Sequence, residues 1–238
     1  MKSLLKTILI PFGINFRRYD PTHDLGELLR LYSVETIFDI GANAGVSGRY
    51  FRNLGFKGSI VSFEPVERYY KMLAQQADAD PLWTTENIAL ADAEGELAIN
   101  VSGGHGGASS FLEKKGTMWE CAPELEYVDR ERVRISTVDH KALEHYPTGD
   151  RLFLKLDVQG YERKVLEGAR ETMPRIVGLR VELSVSPCYH EEPSMFEMLD
   201  YLYGLGFRLC AIEEAWSDRR TREVFQMDGV FFRGQVLR

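Results

Sequence analysis

The sequence predicts an α/β protein built on a mostly parallel sheet with helices on both faces. Three observations point there. From residue 34 onward, short β-branched runs alternate with stretches of helical composition, as strand–helix–strand crossovers require. The seven strand candidates fall in two groups, three before and four after a glycine-rich interruption. No internal repeat, long charge block or linker separates the groups, so one sheet is expected to take them all, with residues 34–238 as the main domain.

Residues 1–33 are expected to form a helical extension. Lys2 and Lys6 flank an apolar run, Leu4–Ile10. The run resembles a signal sequence only superficially: Lys6 interrupts it, Pro11 and Gly13 close it, and it falls far short of the ~20 apolar residues of a membrane span. It reads as an amphipathic helix packed on the body, with a weak membrane-surface contact through Lys2, Lys6, Arg17 and Arg18 as the alternative. The first strand group is Thr36–Ile40, Ser59–Glu64 and Trp83–Ala89, with Tyr69–Ala79 as a helix. The second is Leu152–Asp157, Val177–Leu183, Arg208–Ile212 and Gly229–Arg233, with helices at Glu162–Arg170 and Met195–Leu205. Glu96–Val101 and Arg132–Val138 lie too close to their neighbours for helical crossovers and read as an antiparallel elaboration. Between them Ser102–Ala108, SGGHGGA, reads as a mobile glycine loop. Glu213–Glu223, EEAWSDRRTRE, is mixed in sign and reads as a solvated loop, with a lid as the alternative.

Of 238 residues, 44% are hydrophobic and 27% charged, the balance of a globular chain and not of a disordered or fibrous one. Twenty-nine basic against 36 acidic residues leave a formal charge of −7, which provides no global positive field for a phosphate backbone, so a nucleic-acid partner is not expected. Three widely spaced cysteines, Cys121, Cys188 and Cys210, suggest neither a disulfide framework nor a zinc ribbon and fit a reducing, cytoplasmic setting.

The segment Thr36-Ile-Phe-Asp-Ile-Gly-Ala-Asn-Ala-Gly-Val-Ser is a hydrophobic strand, then a glycine-bearing turn, then a helix start. Gly41 can take the tight turn and Gly45 lets the helix approach the strand. The middle glycine of a dinucleotide fingerprint is Asn43 here, which argues against a pyrophosphate cofactor. Asp39 would repel a pyrophosphate and suit a cation. Glu64, at the end of the next strand, stands where a carboxylate accepts hydrogen bonds from both ribose hydroxyls. The pair favours an adenosyl cofactor without phosphates and with positive charge, such as S-adenosylmethionine. Taken singly, Asp39 reads equally as a turn or helix cap and Glu64 as an acid before a helix.

The blocks VETIFDIGANAG, SIVSFEP, NIALADAEGE, ISTVD and LKLDVQGYERKVLEGA resemble the FkbM family of S-adenosylmethionine-dependent methyltransferases, over roughly residues 34 to 233. The resemblance implies a class I methyltransferase, Rossmann-like fold, with the last of seven strands inserted antiparallel and the cofactor at the carboxyl ends of the first strands. It implies that Asp39, Gly41, Asn43 and Gly45 line the methionine moiety, that Glu64 followed by Pro65 holds the ribose, and that Asn87, Ala89 and Asp92 belong to the adenine edge. Ser109 and Ser110 match a serine position near cofactor or acceptor. The implied activity is O-methylation of a hydroxyl on a sugar, glycolipid precursor or polyketide-like metabolite. Nitrogen or carboxyl methylation, or a non-catalytic cofactor-binding partner of a biosynthetic enzyme, are the alternatives.

A hydroxyl acceptor must lose a proton, so a base is sought at the strand ends. Asp157, closing LFLKLD, is the first candidate, with Glu182 and His190 beside it as catalytic candidates. His105, Ser109, Ser110, Tyr161 and Glu162 are candidates for the acceptor side. If Asp157, Glu162 and Glu182 converge, they would also suit a divalent metal; without an Asp-x-Asp or histidine cluster, a metal-free site is the expectation. Alternatively Glu162 caps the following helix and Glu182 pairs with Lys155 or Arg180. Trp119, Tyr127, Tyr161, Tyr189 and Trp216 are aromatic candidates for the site mouth. The sequence leaves the oligomeric state open.

Overall fold

The computed structural model describes residues 21–149, 151–218 and 220–234. The expected helix at Leu4–Ile10 and its basic neighbours lie outside the described residues. Helix α1 (Pro21–Leu31) precedes β1 (Thr36–Ile40), α2 (Val46–Asn53), β2 (Ser59–Phe63), α3 (Glu67–Ala77) and β3 (Trp83–Glu86). Then come the short β4 (Ala89–Leu90), β5 (Gly95–Ser102), β6 (Tyr127–Ser136) and α4 (Val138–His145). The second half holds β7 (Leu152–Leu156), α5 (Glu162–Glu167), β8 (Ile176–Ser184), α6 (Met195–Gly204), β9 (Phe207–Ser217) and β10 (Val224–Arg233).

Seven strands form one sheet in the order β3-β2-β1-β7-β8-β10-β9. The first five run parallel, while β10 is antiparallel to both of its neighbours. Side chains alternate between the faces because strand geometry has a period of two. Phe38, Ile40, Val61, Phe63, Leu154 and Leu156 pack against Val138 and Ala142 of α4, Val165 and Leu166 of α5 and Leu202 of α6. Ile37, Ile60 and Phe153 face the other way, onto Leu25 and Leu29 of α1, Phe51 of α2 and Leu73 of α3. β1, β2 and β7 carry apolar side chains to both faces because both faces are covered.

That same face carries a row of polar residues. Ser62, Asp39, Lys155 and Arg180 stand side by side in register on β2, β1, β7 and β8. Two residues further along each chain lie Glu64, Gly41, Asp157 and Glu182. Period-two geometry thus carries the three carboxylates to one edge.

The expected antiparallel elaboration is present as β5 paired with β6, with β4 added parallel to β6. The run Trp83–Ala89 is therefore two strands in two sheets. Glu213–Glu223 is not a loop: β9 runs on to Ser217, and only a short turn joins it to β10. As the outermost strand, β9 keeps solvent-facing positions that accept charge, which is why the segment reads as a loop in the sequence. No helix among the described residues is long and apolar enough to cross a membrane.

Candidate active site

The turn after β1 is shaped by contacts only glycine allows. Gly41 has φ +75°, and a Cβ there would sit 1.9 Å from the backbone oxygen of Asp157, a contact no other residue survives. Gly45, φ +83°, begins α2. Between them Asn43 takes φ 46°, a conformation asparagine tolerates better than most residues. Its Oδ1 accepts from the Ala44 amide at 2.7 Å and its Nδ2 donates to the His105 carbonyl at 3.1 Å. It thereby ties this turn to the glycine loop.

A cavity of ≈ 650 Å³ lies over this turn, inside the roughly 300–1,000 Å³ range of small-molecule sites. Glu64 faces it and is 5% exposed. Its Oε2 accepts from the Asn43 amide at 2.8 Å and its Oε1 from the Val66 amide at 2.9 Å. Burial pushes the carboxyl up to about 7 against those two bonds. Each oxygen keeps a lone pair for a ligand hydroxyl. Ala89 and Leu90, Met72, Phe111 and Val46 supply apolar walls, and Gly41, Asn43, Pro65, Ser109 and Ser110 also line the space. Arg68, Tyr69 and Lys155 line it too, and sequence reasoning did not find them.

The buried Lys155 ammonium donates to the Gly41 carbonyl at 2.8 Å and lies 3.3 Å from both Asp39 Oδ1 and Asp157 Oδ2. It is neutralised within the wall, so it offers a phosphate no unpaired charge. Asp39 is fully buried beneath the turn, accepts from Ser62 Oγ at 2.9 Å, and is not among the lining residues. The expectation that it lines the methionine moiety is corrected: it holds the lysine that holds the turn.

A second cavity of ≈ 840 Å³ adjoins the first. Asp157, Gln159, His105 and Gly107 belong to the walls of both. Its other walls include Trp119, Trp216, Glu120, Glu124, Glu182, Asp218, Arg220 and Gln226. Asp157 Oδ1 accepts from Gln159 Nε2 at 2.9 Å. Glu182 Oε2 accepts from Gln159 Nε2 at 2.8 Å and from Gln226 Nε2 at 2.9 Å. Burial, with Asp157 and Glu162 adding repulsion, raises the Glu182 carboxyl well above its usual range. The pairing with Lys155 or Arg180 does not occur; Arg180 binds Glu213 and Asp228 instead, at 2.9 and 2.8 Å.

Other sequence candidates fall elsewhere. His190 is exposed and outside both cavities, because its segment is pinned by the bond from its backbone amide to the Glu113 carbonyl. Asp92 pairs with Lys164 at 2.9 Å and is not among the residues lining the first cavity. Asn87 donates to the Glu64 and Pro65 carbonyls at 3.0 and 2.9 Å, so it braces that turn from behind. Glu162 is buried and accepts from the Val158 amide at 3.0 Å, which bonds it back to the turn and not as a cap of α5, whose start has no side-chain cap; burial first, then Glu192, pushes it up to about 8. Tyr161 packs on Phe111 at 5.1 Å outside both cavities. Ser109 Oγ donates to the Gly106 carbonyl at 2.9 Å and Ser110 Oγ to the Gln159 carbonyl at 2.6 Å, closing the glycine loop.

The carboxylates do not converge on a shared point either, since the Gln159 amide stands between Asp157 and Glu182. Glu86, Glu144 and His145 do lie close together, but the Lys141 ammonium sits among them, 2.8 Å from Glu86 and 2.6 Å from Glu144.

A cavity over a strand–turn–helix, bordered by the buried Glu64 carboxyl and meeting a second cavity at the acid-bearing end of β7, is the arrangement expected of the class of S-adenosylmethionine-dependent methyltransferases. Comparison with known proteins narrows this. The methyltransferase FkbM domain matches residues 39–209, and the chain belongs to that family. It is 25% identical over 173 residues, 70% of either chain, to the 2-O-methyltransferase NoeI of Sinorhizobium fredii (strain NBRC 101917 / NGR234). Among solved structures, a Klebsiella pneumoniae protein assigned as an O-methyltransferase has the same fold, with a TM-score of 0.50 at 10% identity over 92% of this chain and 84% of that one. An rRNA methylase from Streptococcus thermophilus gives a TM-score of 0.48 at 11% identity, over 92% and 99%.

Proposed function

We propose that the protein methylates a hydroxyl of a small-molecule or glycan acceptor, a sugar, glycolipid precursor or polyketide-like metabolite, held in the second cavity. The observation that carries this reading is the shared wall: Asp157 borders both cavities, with its side chain 42% exposed. When bound, S-adenosylmethionine supplies an electrophilic methyl group on a sulfonium. Glu64 would hold the ribose, the Gly41–Asn43 turn the methionine end, and Leu90 and Phe111 would flank the base. Asp157 would then accept the acceptor hydroxyl proton, an effect of typically ~10²–10⁴-fold. Trp119 and Trp216, with ring centroids 5.1 Å apart, offer a face on which a sugar ring can stack. Glu120, Glu124 and Asp218 against the single Arg220 among the described charged side chains of the rim disfavour polyanionic acceptors such as nucleic acid.

The test is Asp157→Asn, which keeps the shape of the side chain. Turnover with labelled cofactor and a panel of hydroxylated acceptors should fall by about 10²–10⁴-fold while S-adenosylmethionine affinity stays within about twofold. Full activity in this variant would remove Asp157 from the reaction.

A further inference from the structure

We infer that Gln159 is a positioning residue that holds Asp157 in its working orientation and is itself locked by Tyr189. The inference rests on the proposed role of Asp157 as proton acceptor.

Gln159 follows β7 with φ 54°, a left-handed conformation that a side-chain-bearing residue adopts at a cost. It is 7% exposed, yet it borders both cavities. The two ends of its amide meet different partners. At one end are Asp157 Oδ1 at 2.9 Å and Glu182 Oε2 at 2.8 Å. At the other is the Tyr189 hydroxyl at 2.7 Å. An amide carbonyl turned toward Asp157 would meet an acceptor-only group, so the –NH₂ must face the acids and give each one hydrogen. The side-chain carbonyl then accepts from Tyr189, and a flipped amide would set its oxygen against the carboxylate of Asp157 and lose that bond.

Tyr189 cannot follow a wandering amide. It is fully buried, packs on Trp119 at 5.3 Å, and its backbone amide donates to Glu192 at 2.9 Å. Ser110 Oγ donates to the Gln159 backbone carbonyl at 2.6 Å and so fixes the main chain from which the amide projects. The chain Tyr189–Gln159–Asp157 thus pins Oδ1 and leaves Oδ2 between the Lys155 ammonium, at 3.3 Å, and the cavities. Without the Gln159 amide, the strongest remaining partner is Lys155, and the carboxylate would rotate to offer it both oxygens, away from the acceptor.

Asp157 also lies in the field of Glu162 on α5, Glu182 on β8 and Asp228 on β10. Glu162 and Asp228 keep their bonds in the substitutions below, whereas Glu182 loses its bond from Gln159 in Gln159→Met and keeps it in Tyr189→Phe, so the two variants together separate the effect on Asp157 from the effect on Glu182.

The experiment compares Gln159→Met, Tyr189→Phe and the double variant, each checked for native circular dichroism. The ¹³C carboxyl resonance of Asp157, assigned by its loss in Asp157→Asn, is compared at one fixed pH in protein without cofactor or acceptor, and kcat and KM are measured separately. Gln159→Met should displace this resonance, because the donor on Oδ1 is lost. It should lower kcat by about ten- to hundredfold through misplacement, with KM within about twofold. Tyr189→Phe, which does not touch Asp157, should displace the resonance in the same direction by a smaller amount, and in the double variant it should add nothing.

An unmoved resonance in Gln159→Met overturns the inference. If Gln159→Met does not fold, Tyr189→Phe decides: an unmoved resonance there overturns it equally. A moved resonance together with full activity of Asp157→Asn would instead refute the base, leaving Gln159 as an orienting residue without catalytic consequence. Loss of turnover in Asp157→Asn with unmoved resonances refutes the positioning role alone.

Discussion

Glu64 offers a quantitative test of the cofactor site. Burial holds its carboxyl at about 7 even though two backbone amides bond to it. The ionised form accepts hydrogen bonds from a ribose diol, whereas the protonated form must spend one oxygen as a donor. If only the ionised form binds well, the apparent dissociation constant is the intrinsic one divided by the ionised fraction. With a midpoint near 7 that fraction is about 90% at pH 8 and about 10% at pH 6, so affinity should weaken roughly tenfold across those two units. Binding below pH 7 should also release a proton. The assay is titration calorimetry with S-adenosylhomocysteine, the demethylated product, from pH 6 to 8 in buffers of different ionisation enthalpy. Glu64→Gln, run in parallel, cannot ionise there and cancels any titration of the ligand itself. Its affinity should be weaker at pH 8 and flat relative to the parent's slope. Identical pH profiles in the two proteins, or no proton release at pH 6.5, would refute the assignment of Glu64 to the ribose.

Two further substitutions test the fold beneath the site. A Cβ on Gly48 would lie 2.0 Å from Trp83 Cζ2, and the indole is tethered by its bond to Ser62 Oγ at 2.9 Å; Gly48→Ala should therefore cost ~1–3 kcal/mol. Thermal unfolding should show a midpoint lowered by about 2–4 °C per kcal/mol for a chain of this size, and an unchanged midpoint would contradict the packing. The Glu86 carboxyl is held down at about 2: burial works against this, but bonds from His145 and Lys141 prevail. Because its folded value lies below its ordinary 4.5, the unfolded chain takes the proton first. The stabilisation is present above about pH 4.5 and is lost as pH falls toward 2. Urea unfolding from pH 6 to 3 should show a shallower acid decline in Glu86→Gln than in the parent.

The parts of the site that were readable in the sequence are those where backbone geometry constrains residue type. Gly41 stands where nothing larger fits, and Glu64 closes a strand, so both announce themselves by position. Lys155 was missed although a signal existed: a lysine inside LFLKLD has apolar neighbours on both sides, must be buried, and needs counter-charges. Asp39 and Asp157, already assigned to the same sheet edge, were those charges. Gln159 gave no such signal, because an amide tolerates almost any surroundings and its importance lies in partners from residues 182 and 189. His190 and Asp92 failed for a related reason: they sit on connections whose course is set by tertiary contacts, Lys114 bridging to Tyr189 and Lys164 reaching Asp92. The charged hairpin of β9 and β10 was misread because Arg180, Glu213 and Asp228 neutralise one another across three adjacent strands, a pattern invisible along the chain.

The contact between Gly41 and the Asp157 carbonyl has an evolutionary consequence. The turn proposed to hold the methyl donor and the strand end that carries the proposed base touch with no room for a methyl group between them, so neither can be re-aimed without displacing the other. Donor and base form a fixed chassis, and new acceptor preferences have to come from the opposite wall of the second cavity. That wall, with Trp119, Glu120 and Leu125 on one side and Trp216, Asp218 and Arg220 at the hairpin, is the interchangeable part, where library mutagenesis aimed at new acceptors should be concentrated.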